Sequence, residues 1–348
     1  MRKPKAAKST VKSGKRLIRY IVQVGILLVG VLIGFFIHEL LRLSGSPMMN
    51  DLHMYRLGGY KFISPLLTCD TPPEALDYIR VHPLRKEIEK KIAALKEARS
   101  IVRASVYFRL LGDGRWFVLG ENELYEPASL VKIPVMIATL KKEEMDPSFT
   151  EKRIKFTGSP VPTITQNFKP SKLLEVGKYY SIDDLLLRDV AYSDNDAYWL
   201  LLEQIGSDLI QKTCNDLLFP WPYQHSRILF VSVSDVANSF RILYNSAYLG
   251  EKMSEKALDM LSKTDFKEGI VRGVPSNLVV AHKFGERGEI DNSNRELHDC
   301  GIVYYPGTPY LLCVMTEGTS FKTLSDAIAD ISLVVYEGIG RYWKQAGK

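Results

Sequence analysis

Strand-forming runs in this chain fall into two groups that lie far apart in the sequence. The first group, between residues 104 and 120, contains ASVYFRLL and RWFVLG, which are joined by Gly-Asp-Gly at 112–114. That junction predicts a β-hairpin. The second group, between 277 and 318, contains NLVVAHKFG, ELHDCGIVYY and PYLLCVMTEG. Because every strand needs a partner, the two groups predict one antiparallel sheet built from both parts of the chain.

Helical segments surround and interrupt this sheet. After Pro83, apolar residues recur at helical spacing and predict a helix that begins at Pro83 and packs on the sheet: Leu84, Ile88, Ile92 and Leu95. Lys322 to Trp343 predicts a final amphipathic helix. Between about 143 and 275 the pattern changes to short helices, with predicted starts at Ser181, Ser207, Ser234 and Ser254. The predicted fold class is α/β, more exactly stated as α+β: an antiparallel sheet flanked by N- and C-terminal helices, with an inserted all-helical subdomain.

The N-terminal region has the pattern of a membrane anchor. Residues 21–37, IVQVGILLVGVLIGFFI, hold one polar side chain and no charge. Leu17 and Leu40 extend the run to the roughly 20 residues that cross a bilayer. We therefore predict an N-terminal transmembrane helix at 17–41. A cleaved signal peptide ending near SGS at 44–46 is the alternative, but the apolar run is long for one.

The flanking charges predict how this anchor is oriented. Basic residues precede it, so the positive-inside rule predicts a cytoplasmic tail at 1–16 and an extracytoplasmic remainder. Residues 42–82 are irregular and rich in Gly, Pro and Tyr, which predicts a stalk. The predicted location is the cell membrane, with a single pass and a cytoplasmic N-terminus.

The charge balance of the remaining chain gives no indication of nucleic-acid binding. The chain of 348 residues has a formal net charge of +6, from 46 basic and 40 acidic residues. Residues 1–43 hold nine of the basic residues and one acid, so the rest carries 37 basic and 39 acidic residues. The histidines form no HExxH pair and the four cysteines no CxxC spacing. No metal and no cofactor is predicted, and disulfides are permitted outside the cell without their pairing being deducible.

Ser129 and Lys132 lie one helical turn apart in YEPASLVKIPVMIATLK. At this spacing a hydroxyl and an amine project from the same helix face. A buried amine near another cation can lose its proton and act as a base toward the hydroxyl, which predicts Ser129 as a nucleophile. Pro134 predicts a bent or tightened first turn. Ser9 and Lys12 have the same spacing but lie in the basic tail, so only context separates the two pairs.

Two later triplets supply that context. The SDN triplet at 193–195 lies at a break between two helical runs, and the KFG triplet at 283–285 ends a predicted strand. SxxK, SDN and KxG, in this order and on helix, loop and strand, resemble the penicillin-recognising serine hydrolases, and most closely the class A β-lactamases. The resemblance covers about residues 83–345, which we therefore take as one serine hydrolase domain.

The resemblance implies a role for each side chain of the triplets. Ser129 attacks an amide carbonyl to form an acyl-enzyme, and Lys132 accepts its proton, poised by Lys283 and by burial. Ser193 relays a proton to the departing nitrogen. Asn195 holds the Lys132 amine and a substrate amide.

The resemblance also implies an oxyanion hole. It consists of the backbone N–H groups of Ser129 and Glu286, next to Gly285. Asp194 is expected to brace its loop. Arg287 is a possible cation for a substrate carboxylate, and a solvated turn residue is the equally weighted alternative.

Two departures from the family pattern bear on function. Phe284 replaces the Thr or Ser that helps to bind the substrate carboxylate. The segment after SDN, DLLFPWPYQHSRILFVSVSD, has no Glu to activate a hydrolytic water, and only Asp216 and Asp235 lie at its margins. Glu175 and Glu203 lie on other predicted elements. We therefore identify no deacylating base.

Three functions fit these residues. The first is a β-lactamase-like serine hydrolase that is acylated at Ser129 by a β-lactam or a related amide. The second is a D,D-carboxypeptidase or penicillin-binding protein acting on the D-Ala-D-Ala stem peptide of peptidoglycan, which the missing Glu favours. The third is a catalytically degenerate module that binds the cell wall or a partner protein, because a fold does not fix a function.

Overall fold

The structure, a computed structural model, describes most of the chain after residue 73. The described residues are 22–25, 29–30, 32, 60–64, 74–112, 114–159, 166–221, 229–288 and 294–342, with side chains in the first long helix from Val81 onward. Met1–Met54 and Tyr55–Lys348 form separate compact units. All elements below belong to the second unit.

The predicted anchor and tail fall largely outside the described residues. Within 17–41, residues 22–25, 29, 30 and 32 are helical, and the tail at 1–16 is not described. Among the described helices, none combines the length and the hydropathy that a membrane crossing requires. The anchor therefore stays a prediction from the sequence.

A five-stranded antiparallel sheet forms the centre of the domain. Its strands are β1 (Arg103–Leu110), β2 (Trp116–Leu119), β5 (Val280–Arg287), β6 (Arg295–Val303) and β7 (Tyr310–Gly318). Their order is β2-β1-β7-β6-β5, so β7 from the end of the chain pairs with β1 from its beginning. The predicted hairpin is confirmed, because Val106 pairs with Leu119 and Phe108 with Phe117. The predicted sheet from both parts of the chain is confirmed as well.

Helices cover both faces of this sheet. The helices are α1 (Glu74–Glu97), α2 (Lys132–Met145), α3 (Ile182–Ala191), α4 (Asn195–Ile205), α5 (Ser207–Asp216), α6 (Val233–Tyr244), α7 (Glu251–Ser262) and α8 (Phe321–Tyr342). α1 and α8 pack on one face, and the insertion packs on the other. Strand side chains alternate between the two cores: Phe108 and Val314 face α8, whereas Tyr107 and Met315 face the insertion.

The predicted start of the first helix and the predicted all-helical character of the insertion are wrong. The first helix begins at Glu74 and continues through Pro83, so the structure ends the irregular part of the predicted stalk before residue 82. Val81 is already buried, which extends the packed stripe upstream of the proline and holds the turn in place. The insertion is also not all-helical, because β3 (Arg153–Lys155) and β4 (Tyr179–Ser181) pair as a separate two-stranded sheet.

The predicted helix starts have mixed outcomes. Ser181 caps α3 through a capping box with Asp184, as predicted. α5 begins at Ser207, but the residue before it is glycine and no side chain caps it. α6 is capped by Ser232 with Asp235, not by Ser234. Ser254 lies buried within α7 and does not start it.

Part of the predicted stalk packs on the domain. Residues 60–64 are described, and Phe62, Ile63 and Ser64 in this segment are buried. The backbone N–H groups of Lys61, Phe62 and Ile63 all donate to the carboxylate of Glu255 on α7. Of the cysteines, Cys214, Cys300 and Cys313 are buried free thiols, and Cys69 lies outside the described residues.

Candidate active site

The predicted nucleophile lies in a tight turn that leads into α2. Residues Ala128–Val131 form one 3₁₀ turn, and α2 continues from Lys132. Pro134 has no N–H to donate to the carbonyl of Leu130, which explains why the helix starts with a tightened turn, as predicted. Ala128, just before Ser129, has φ +47°. A non-glycine residue rarely adopts this conformation, and such strain is typical of functional sites.

Strand β5 approaches this turn so closely that only glycine fits at the contact. A Cβ atom on Gly285 would lie 2.7 Å from the Pro127 carbonyl oxygen and 3.2 Å from the Ser129 backbone nitrogen. The absence of a side chain at 285 therefore brings the sheet edge against the Ser129 turn. The oxyanion role predicted for the Ser129 and Glu286 N–H groups is compatible with this approach and stays a prediction.

A hydrogen-bonded chain connects the three motifs. The Ser193 hydroxyl donates to the Ser129 hydroxyl at 3.1 Å and accepts from the Lys283 amine at 3.0 Å. Ser193 is buried and has φ +58°. The residues that the sequence placed 64 and 90 positions apart therefore meet at one hydroxyl.

Lys132 is held from several sides in the same place. Its Nζ donates to Asn195 Oδ1 at 3.1 Å, to the Asp194 carbonyl at 3.2 Å and to Ser193 Oγ at 3.5 Å. Its side chain is 2% exposed. The contact with Asn195 agrees with the geometry that the resemblance implied, while the catalytic roles stay predictions.

Burial changes the protonation of both lysines. It lowers the pKa of Lys132, and the charges of Asp189 and Asp194 oppose this shift. Burial, and next the charge of Lys132, lower the pKa of Lys283 from 10.5 to about 7. Burial thus favours the neutral form of the Lys132 amine, which a general base toward a serine hydroxyl requires.

Asp189 is a site residue that our reading of the sequence missed. It lies in the last turns of α3, is fully buried, and places Oδ1 3.4 Å from Lys132 Nζ. Burial raises its pKa to about 7, and the two lysines oppose this shift. The available signal was the acidic residue of the run LLLRDVA, four residues before the SDN triplet.

Asp194 braces the loop, as predicted. Its carboxylate accepts from the backbone N–H groups of Asp196 and Ala197 and so caps α4. The other carboxylate oxygen accepts from the N–H of Leu174. These bonds engage both carboxylate oxygens of Asp194 and stabilise the loop. Asp194 thereby positions its neighbours Ser193 and Asn195.

Phe284 points away from the site and fills the core under α8. Its ring stacks on Phe266, with centroids 4.2 Å apart, and contacts Phe168 edge-on at 6.0 Å. Successive strand residues face opposite sides, so Lys283 faces the site and Phe284 does not. At the middle position of the third motif, this chain therefore has an aromatic ring packed in the core where the family has a hydroxyl.

Glu286 and Arg287 are both engaged at the edge of the site. The Glu286 carboxylate accepts from the backbone N–H groups of Asn167 and Phe168, and burial raises its pKa against these bonds. Arg287 Nε lies 2.9 Å from the carboxylate of Glu126. Arg287 is therefore not a merely solvated turn residue, and a substrate carboxylate has to compete with Glu126 for its guanidinium.

A cavity of about 580 Å³ opens over Ser129. Gln166, which lines it, also donates from Nε2 to the Ser193 carbonyl. Much of the cavity wall comes from residues outside the three motifs. The lining residues are Glu126, Ala128, Ser129, Val131, Lys132, Gln166, Asn167, Asn195, Tyr198, Trp199, Glu286, Arg287, Gly288, Arg295 and Phe321.

The two acids at the margins of the post-SDN segment are used elsewhere. Asp216 pairs with Lys212 on α5 at 2.6 Å, and Asp235 completes the capping box of α6. Neither lines the cavity. Glu175 pairs with Lys178 at the surface. The structure therefore gives none of these residues the position of a base for a hydrolytic water.

The fold and the residues at this cavity define a penicillin-recognising serine hydrolase of the β-lactamase type. Residues 86–339 match the model of the β-lactamase enzyme family, so the chain belongs to that family. A β-lactamase of Streptomyces albus G is 24% identical over an alignment of 275 residues, and the match covers 73% of this chain and 85% of the relative.

Solved structures share the fold at low sequence identity. A β-lactamase from Sphaerobacter thermophilus DSM 20745 has a TM-score of 0.61 at 21% identity, covering 73% of this chain and 96% of that one. A class A β-lactamase from Mycobacterium abscessus has a TM-score of 0.60 at 22% identity, covering 73% and 99%. A variant of PBP-A, solved as an acyl-enzyme complex with penicillin G, has a TM-score of 0.61 at 18% identity, covering 75% and 97%.

Proposed function

We propose that this protein is a serine hydrolase that is acylated at Ser129 by a β-lactam or a related amide. The observation that carries the proposal is the Ser193 hydroxyl, which bridges the Ser129 hydroxyl and the Lys283 amine beside the buried amine of Lys132. A nucleophile, a base and a proton relay are thus within hydrogen-bonding reach of one another at a cavity.

The reaction follows from these contacts. The oxygen of Ser129 attacks the amide carbonyl carbon, and its proton passes to the neutral amine of Lys132. The carbonyl oxygen takes up the negative charge beside the N–H groups of Ser129 and Glu286. When the C–N bond breaks, Ser193 hands its proton to the departing nitrogen and is reprotonated from the lysines. The product is an ester of Ser129.

We expect the acyl group to be released slowly from the Ser129 ester. Among the described residues that line the cavity, the carboxylates are Glu126, which pairs with Arg287, and Glu286, which accepts two backbone N–H groups. Neither is placed to activate a water. We therefore favour a penicillin-binding protein or D,D-carboxypeptidase acting on D-Ala-D-Ala stem peptides over a fast β-lactamase. A variant of PBP-A, which has the same fold, was solved as an acyl-enzyme complex with penicillin G.

The proposed site of action is the outer face of the cell membrane. The apolar run within 17–41 and the basic tail at 1–16 support an anchored, extracytoplasmic enzyme. Peptidoglycan stem peptides are accessible on that side, which agrees with a peptidase.

A labelled penicillin tests acylation directly. We expect a covalent adduct on the wild type, mapped to Ser129, and no adduct on Ser129→Ala or Lys132→Ala. Ser276→Ala, at an exposed serine, serves as the control and should label normally. If the wild type and the control both stay unlabelled, the protein is a binding module and not an acyl-transferring enzyme.

The lifetime of the adduct then separates the two enzymes. An adduct that persists for minutes or longer, together with release of D-alanine from a stem peptide, supports the D,D-peptidase. Rapid loss of the adduct with turnover of the β-lactam supports a β-lactamase and contradicts our preference.

A further inference from the structure

Asp189 is a carboxylate on α3 that is buried at a cost in free energy, and packing alone does not offset this cost. It is fully buried, and neither carboxylate oxygen makes a hydrogen bond among the described residues. A buried charge without hydrogen bonds is destabilising unless a nearby opposite charge offsets it. Lys132 Nζ, 3.4 Å from Oδ1, supplies that charge.

The charged and titratable groups around Asp189 come from four elements. Lys132 faces it from α2, Lys283 from β5, Asp194 from the loop before α4, and Tyr198 from α4. The carboxylate of Asp194 is already used by three backbone N–H groups. Tyr198 places its ring under the Lys132 amine, 5.6 Å from Nζ. Among the described residues, Asp189 is therefore the carboxylate that remains to balance the charge of Lys132.

Asp189 acts through Lys132 and not on substrate. Its side chain is 0% exposed and does not line the cavity over Ser129, whereas Lys132 does. It cannot reach a water in that cavity, so it is not the missing base for deacylation. Its effect has to pass through the amine that it faces.

This arrangement matters at the moment when charge appears on Lys132. Acylation transfers the Ser129 proton to a neutral amine and so creates an ammonium group in a dry site. A fixed carboxylate 3.4 Å away stabilises that ammonium and orients the amine. The same reasoning applies to a buried Asp behind the catalytic His of serine proteases.

We propose that Asp189 is a positioning residue of acylation, whose carboxylate holds Lys132 and compensates the ammonium that forms when Ser129 gives up its proton. The proposal rests on the proposed function of Ser129. The proton moves from Ser129 Oγ to Lys132 Nζ, the oxygen lone pair forms the bond to the carbonyl carbon, and Asp189 takes up no proton in this step.

The first test is the pH dependence of acylation in Asp189→Asn. Without the anion, the pKa of Lys132 falls, so the acidic limb of the rate profile should move down by about one pH unit. The rate on the plateau should fall about 100-fold, because the amine is a weaker base and its cation is uncompensated. A purely structural role would lower the plateau and leave the limb in place, which contradicts the proposal.

Two further variants separate function from folding. Asp189→Leu replaces the carboxylate by an apolar side chain of similar size. Removing one partner of a buried pair costs stability unless the remaining amine becomes neutral, so urea unfolding is measured on the same protein. We expect it to fold and to lose acylation to the same extent as Asp189→Asn. Asp183→Asn, on the same helix and paired with Lys256 at the surface, should acylate normally. Normal acylation by a folded Asp189→Leu protein overturns the proposal.

A second readout does not depend on penicillin. The Lys132 side chain can be titrated by ¹³C NMR in the full chain labelled with ¹³C-lysine, with Lys132→Ala for assignment. We expect its titration to move to lower pH by about one unit in Asp189→Asn. If penicillin fails to label the wild type, the proposed function fails, while this titration still decides whether Asp189 raises the pKa of the Lys132 amine. An unmoved titration overturns it.

Discussion

The amines of Lys132 and Lys283 are both buried in the site. The lowered pKa of Lys283 leads to a prediction about how stability depends on pH. The pKa of Lys283 falls from 10.5 to about 7 because of burial and of the charge on Lys132. Between these two pH values the unfolded chain binds more protons than the folded protein. Stability should therefore rise with pH across this window, by at most about 1.4 kcal/mol per pH unit for one group.

Lys283→Met should flatten this dependence. The variant keeps the length of the side chain and removes its titration, so the free energy of unfolding should change less between pH 7 and pH 10.5 than in the wild type. Urea unfolding at the two ends of the window measures the difference. Exposed Lys169→Met is the control and should retain the wild-type slope. An unchanged slope in Lys283→Met means that Lys283 keeps its ordinary pKa in the folded protein.

Strand β5 serves the core and the site at once, and its alternation decides which residue does which. Phe284 packs against Phe266 on the α8 side, while Lys283 reaches Ser193 on the other. Gly285 then allows the strand to touch the turn of Ser129. The KFG triplet therefore keeps the amine and the close approach of the family motif, and uses its middle position for packing.

Gly285→Ala tests the close approach. The added Cβ would lie 2.7 Å from the Pro127 carbonyl oxygen, so strand or turn has to move. We expect acylation by labelled penicillin to slow about 100-fold, because small displacements of a nucleophile cost this much. Gly112→Ala, where a Cβ meets nothing within 4 Å, is the matched control. Equal acylation rates in the two variants contradict the importance of this contact.

Capping residues in the sequence were sufficient to predict some helix starts and not others. Ser181 was identified correctly because Asp184 follows it by three residues and the capping box forms. The same rule applied to Ser232 and Asp235 gives the observed start of α6, whereas Ser234 lacks an acid three residues later. Ser254 failed for another reason, since it is buried inside α7 and its hydroxyl donates to the Leu249 carbonyl.

For the molecule as a whole, segment 60–64 is fastened to the domain by one carboxylate. Glu255 accepts three successive backbone N–H groups, and Tyr304 donates to the Phe62 carbonyl. Glu255→Ala should release this segment and lower the free energy of unfolding by about 2 kcal/mol, because hydrogen bonds to a charged group are lost. Faster cleavage by trypsin at Lys61 and urea unfolding measure the two effects.

Exposed Glu97→Ala, at the end of α1, is the control for this prediction. It removes a carboxylate of the same type without a contact to segment 60–64, so cleavage at Lys61 should keep its wild-type rate. Equal cleavage of Glu255→Ala and Glu97→Ala shows that the segment is held by its buried side chains alone.

The sequence by itself determined the sheet from both parts of the chain, the hairpin and the order of the three motifs. These features follow from alternation, turn residues and spacing, which are local properties of the chain. The sequence also located Ser129, Lys132, Ser193, Asn195 and Lys283 before any contact among them was visible. Their catalytic roles remain predictions that the acylation experiment tests.

Only the tertiary structure decided which groups meet. It brought Asp189 to 3.4 Å from Lys132 and tied Arg287 to Glu126. It also continued the first helix through Pro83 and turned Phe284 into the core. None of these follows from local pattern, because each depends on residues far apart in the chain whose burial and charge act only when the fold places them together. In the case of Asp189, that placement turned an ordinary helix residue into the counter-charge of the proposed base.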